Sequence, residues 1–161
     1  MTWIRRALAH NALWDPRSIG TDVWRQLGLE PSALSSEVAG MARFEGFKRC
    51  GGQDNSRTFA IDIWSQLYTV DDLRRNMAGA DLVPIMIAGR DGWRYTPKSN
   101  HAGDRCGLIF PSNQGSFSIT VLSLDPRSPV ESCARANEVA IIVVPHLPAL
   151  NTGNSPDAPS A

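Results

Sequence analysis

The spacing of apolar residues predicts helices first and strands later. Trp3, Ile4, Ala7, Leu8 and Leu13 recur at mostly helical intervals, with Arg5 and Arg6 off that face, so a helix is expected over 2–14. Asp15-Pro16 and Gly20 break it. Thr21 then suits the cap of a second helix bearing Val23, Trp24 and Leu27. Gly28 supplies a left-handed end to that helix, and Leu29 returns the chain to the core. Pro31 fits the first turn of a third helix, on which Leu34, Val38 and Met41 fall at i, i+4 and i+7. Beyond Gly46, the runs 47–50 and 57–63 flank the turn-rich GGQDNS and read as a β-hairpin.

Thr69 caps a further predicted helix, with Asp71 and Asp72 in its first turn, Val70, Leu73 and Met77 on one face, and Gly79 as its stop. From Leu82 the pattern turns to strands over 82–88, 92–96, 106–110 and 116–124, with a turn cluster at 89–92. Phe117, Ile119 and Val121 alternate with Ser116, Ser118 and Thr120, which gives that strand one buried and one wet face. Residues 129–137 read as a short helix capped by Ser128. The continuous apolar run 140–144 reads as a central strand. The expected fold class is therefore α+β. Residues 1–63 form a helical and hairpin unit, 64–81 a connecting helix, 82–147 a small mixed-sheet unit, and 148–161 a disordered tail.

The run LGLEPSALSSEVAGMARFEGFKR, followed by its glycine-rich hairpin, resembles a winged helix-turn-helix domain of the multiple-antibiotic-resistance-regulator type. The resemblance covers residues 21–63 and implies a second helix in the major groove of duplex DNA, with the hairpin as the wing. It implies that Ser32, Ala33, Ser35, Ser36 and Ala39 face bases, and that Arg43, Lys48, Arg49 and Arg57 face phosphates. The function it implies is a bacterial DNA-binding protein, a transcriptional regulator or accessory factor, with 63–80 as a candidate homodimer element.

Charge pulls against that implication. Residues 1–60 carry a net charge of plus two and residues 61–161 minus two, whereas duplex DNA binding usually draws on a clear basic excess. The alternative is a protein–protein contact made with the same scaffold, as in small inhibitory proteins of mobile elements. Apolar content of 42% and five Trp residues indicate a folded chain.

Cys50, Cys106 and Cys133 are odd in number and lack a CxxC pair, which suggests reduced thiols in a cytoplasm and no structural zinc. Nothing approaches the ~20 apolar residues of a membrane-spanning helix, so no membrane partner is expected. The polar loop KSNHAGDR is the third candidate site. Lys98, Asn100, His101 and Arg105 suit a phosphate or nucleotide, and His101 beside Cys106 suits a base–nucleophile pair. Loops are polar by default, so the sequence predicts no catalytic residue, metal or cofactor. Trp93 and Tyr95, two apart on one strand, share a face that either stacks on a ligand or packs in the core.

Overall fold

Alternation of buried and open positions builds one sheet that runs through most of the chain. The computed structural model describes residues 2–77, 80–97 and 104–151. Six strands, β1 (Phe47–Gln53), β2 (Phe59–Gln66), β3 (Ala80–Ile87), β4 (Arg90–Pro97), β5 (Arg105–Ser112) and β6 (Gly115–Ser123), pair in the order β1-β2-β6-β5-β4-β3. Every pairing is antiparallel. Among the described residues four α-helices accompany them: α1 (Trp3–Ala12), α2 (Thr21–Gln26), α3 (Val70–Asn76) and α4 (Ser132–Val143).

The inner sheet face carries Ile61, Ile63, Leu108, Phe110, Phe117, Ile119 and Val121, all at most 2% exposed. Ala136, Val139, Ala140 and Val143 of α4 pack on it at i, i+3, i+4 and i+7, together with Val23 and Trp24 of α2 and Leu27 at its C-terminal cap. Arg135 Nη2 donates to Leu27 O at 2.6 Å and joins the two helices. Helix α3 flanks the outer face, and none of its side chains is fully buried.

The winged helix-turn-helix is not formed. After Leu29 the chain makes a single 3-10 turn at Pro31–Ala33 and then runs irregularly to β1. Ser35 Oγ accepts the Glu37 N–H at 3.2 Å, and Val38 and Met41 close a tight hairpin over Ala39 and Gly40, both at positive φ. Serine side chains that bond locally, a β-branched Val and the flexible Gly40 all oppose helix continuation. Leu34 lies against the core while Met41 is 46% exposed, so the apolar stripe has no common face.

Other expectations fared differently. The hairpin after Gly46 is present, with Cys50 opposite Ile63, but it is an integral edge of the large sheet. The boundary expected at residue 63 therefore falls inside β2, which pairs with β6 from the other half of the chain. The sheet is wholly antiparallel, where a small mixed sheet was expected. The apolar run 140–144 is the core-facing part of α4 and not a central strand. Helix α4 starts at Ser132, behind Glu131, and not at Pro129.

The cysteine reading is also corrected. Cys106 and Cys133 form a disulfide across 27 residues of sequence and tie β5 to α4. Their spacing hid this because only the tertiary fold brings the two Cα atoms to 5.0 Å. Such bonds persist in oxidising surroundings, which removes the argument for a reducing compartment. Cys50 remains a free, buried thiol, and burial pushes its pKa up to about 11. Among the described residues no helix is long and apolar enough to cross a membrane.

Candidate functional site

On the outer face of the sheet, residues from five of the six strands converge on an apolar slot of about 220 Å³. Phe47 of β1, Trp64 of β2 and Tyr95 of β4 supply aromatic walls, and Leu73 and Met77 line the side formed by α3. Gly107, Ile109, Ser118 and Thr120 form the floor on β5 and β6. Gly107 is there for space. A Cβ at this position would stand 2.9 Å from Tyr95 Cδ1, so any side chain would displace the ring that faces it across the β4–β5 pair.

The polar groups in this slot are few and fixed. Gln66 Nε2 donates to Ser116 Oγ at 2.9 Å and to Ser118 Oγ at 2.8 Å. Ser116 in turn donates to Tyr68 O at 2.6 Å. Trp64 Nε1 donates to Thr120 Oγ1 at 3.1 Å, which locks the indole plane against the slot. Such a bonded network holds the floor rigid, because moving one member would strand its partners without water.

Helix α3 stands beside this floor by local capping. Thr69 Oγ1 accepts from Asp72 N, and the Asp72 carboxylate accepts from Thr69 N. The Arg74 guanidinium lies 4.5 Å from the Trp93 ring centroid and ties the helix to β4. Trp93 and Tyr95 thus both sit on the outer face, Trp93 under Arg74 and Tyr95 in the slot.

A second cleft, of about 200 Å³, runs along the β1 edge and gathers several of the expected DNA-contacting residues. Ser36, Arg43, Lys48 and Arg49 line it with His10, Asp15 and Arg17. Its cations are tied internally. Lys48 Nζ donates to Asn11 O and Leu13 O, and Arg43 to Asn11 Oδ1 and the Glu45 carboxylate. Arg49 pairs with Asp62 and donates to Glu37 O. His10 Nδ1 accepts from Gly46 N at 2.9 Å, and burial, aided by Arg43 and Lys48, holds its pKa below 6.5.

The remaining predicted residues do not join this cleft. Ser32 and Ala33 are exposed on the 3-10 turn. Ser35 is bridged through its backbone to Gly51, and Ala39 occupies a turn tip. Arg57 sits beyond the far end of the first hairpin at φ 56°. Lys98, Asn100 and His101 lie outside the described residues, and Arg105 stands on β5 opposite Leu122. The sulfur of Cys106 is committed to the disulfide and is not a nucleophile.

The slot residues Trp64, Gln66, Gly107, Ser118 and Thr120 were not read from the sequence as a site. The alternation in β6 correctly marked Ser118 and Thr120 as off the core, but that pattern normally means solvent. The usable signal was aromatic: Trp64, Trp93 and Tyr95 all lie on strand faces away from the core.

The fold is a single antiparallel sheet with one face covered by helices and a small aromatic-walled slot on the other. Residues 12–146 match the family described as "Protein of unknown function (DUF3558)", and the chain belongs to that family. No curated protein and no solved structure matches the chain.

Proposed function

We propose that this protein is a non-enzymatic binding module that holds a small apolar ligand in the slot between α3 and the outer sheet face. The observation that carries this reading is the composition of the slot. Aromatic and aliphatic walls from three strands and one helix meet over a floor with only a few fixed polar groups. That is the usual make-up of small-molecule sites, in which apolar contact gives affinity and sparse polar groups give orientation. Sites for drug-sized ligands span roughly 300–1,000 Å³, so this one suits a one- or two-ring molecule.

The duplex-DNA expectation loses its support with the helix expected after Pro31, which is not formed, and three of its four phosphate-facing cations are already bonded within the chain. The disulfide favours work in an oxidising compartment over the cytoplasm first expected.

Naphthalene titrated into the purified protein tests the reading, with the Trp64 indole N–H resonance as reporter. Saturable shifts at Trp64, Tyr95 and Gly107 are expected. Leu73→Trp, which fills the slot from its α3 side, should weaken binding by at least about tenfold with little change in Tm. Absence of saturable shifts in the wild type would overturn the reading.

A further inference from the structure

Three hydroxyls follow one another on the outer face of β6, and their hydrogen-bond inventories differ. A hydroxyl offers one donor proton and two acceptor lone pairs. Ser116 uses both functions, accepting from Gln66 Nε2 and donating to Tyr68 O. Ser118 accepts from Gln66 Nε2, and Thr120 accepts from Trp64 Nε1. Among the described residues neither Ser118 nor Thr120 has a hydrogen-bond acceptor for its own O–H. Both line the slot, two residues apart on one strand face, surrounded by Trp64, Tyr95, Leu73 and Ile109.

We infer that the slot selects small aromatic molecules carrying an oxygen acceptor, such as a ketone or ester carbonyl, and that the Ser118 and Thr120 hydroxyls receive that oxygen. The inference rests on the binding role proposed above and adds its ligand class. The existing donors from Gln66 and Trp64 already occupy one lone pair on each hydroxyl. Each hydroxyl is left with its proton and one lone pair to be matched, and the proton is the part that a purely accepting group satisfies. A bound hydrocarbon would cover both protons without replacing the water they otherwise bond, which is unfavourable. A carbonyl oxygen has two lone pairs and can accept from both hydroxyls at once. A ligand that presents only a donor would leave the protons unmatched. The slot therefore discriminates by hydrogen-bond polarity as well as shape.

The test compares 2-acetylnaphthalene with 2-ethylnaphthalene, which share a ring system and nearly a shape, on the full chain with its disulfide intact. The Trp64 indole N–H resonance and tryptophan fluorescence report binding. The ketone should bind about tenfold more tightly, one decade corresponding to about 1.4 kcal/mol. Thr120→Val should remove most of that preference while still binding the hydrocarbon, and Thr120→Ser, which keeps the hydroxyl, should retain it. Ser118→Ala should lower the preference independently. Equal affinity of the two probes for the wild type would overturn this inference and leave the slot standing as an apolar site. Failure of both probes to bind would overturn the inference together with the reading beneath it.

Discussion

The Arg49 guanidinium lies 2.6 Å from the Asp62 carboxylate across the first hairpin, with both side chains largely withdrawn from solvent. Gly51 makes the approach possible, since a Cβ there would fall 2.2 Å from Asp62 Oδ1. Burial raises the pKa of Asp62, and Arg49 counters it by charge and hydrogen bond, yet the net direction stays upward. The cost of desolvating the carboxylate therefore outweighs what the pair returns.

From this balance, Asp62→Leu alone should destabilise the protein by about 1–3 kcal/mol, because Arg49 is left largely buried without its anion. The double change Asp62→Leu with Arg49→Met should be near neutral or stabilising. Urea midpoints of the single and double variants check this. A double variant as unstable as the single would show that the pair contributes net stability.

The disulfide closes a loop of 27 residues between β5 and α4. Constraint of the unfolded chain over that length corresponds to about 3.5 kcal/mol in the loop-entropy account. Reduction, or Cys106→Ala with Cys133→Ala, should lower unfolding free energy by about 2–4 kcal/mol. Equal denaturation midpoints with and without reductant would refute it.

His10 should make stability acid-sensitive. Its folded pKa is lowered by burial first and by Arg43 and Lys48 next, with Glu45 acting the other way, while the unfolded value stays near 6.5. Asp15, Arg17 and Arg49 are the other charges lining the same cleft. The unfolded chain thus takes up this proton more readily. The stabilising contribution is full above pH 6.5 and is lost as pH falls through the lower, folded pKa. Protonation at Nδ1 also breaks the bond from Gly46 N. Unfolding curves across this range should show the decline in the wild type and a flatter limb in His10→Gln.

Duplex DNA provides a fourth measurement. Four phosphate contacts would give a log–log salt slope of about 3.6, at roughly 0.9 per neutralised phosphate. With Arg43, Lys48 and Arg49 bonded internally and Arg57 apart from them, a slope below about 1 is expected. A steep slope reduced by Arg57→Gln would restore DNA as a partner.

Local grammar was legible wherever one residue decides one backbone feature. Thr69 caps α3, Gly28 at φ 85° ends α2, and the alternation Phe117, Ile119, Val121 marks the buried face of β6, whereas Gly20 and not Thr21 stands at the cap of α2. The strands after Leu82 were placed within two residues of their ends by the same means. The apolar run 140–144 was ambiguous by itself. The i, i+3, i+4, i+7 series Ala136, Val139, Ala140, Val143 already held the helical answer. Residues 31–46 misled because a stripe of three apolar residues fits a helix while serines and Gly40 withdraw the backbone bonds a helix needs.

What no local pattern contains is which strand lies beside which. The pairing of β2 with β6, 56 residues away at Trp64 and Thr120, turned the expected hairpin wing into the edge of a six-stranded sheet. The packing of α4 on the sheet joined Cys106 to Cys133, and the long-range register brought Phe47, Trp64, Tyr95 and Thr120 around one slot. Period two in a strand specifies a face but not a neighbour. The neighbour is chosen by burial summed over the whole sheet, and the site is made of neighbours.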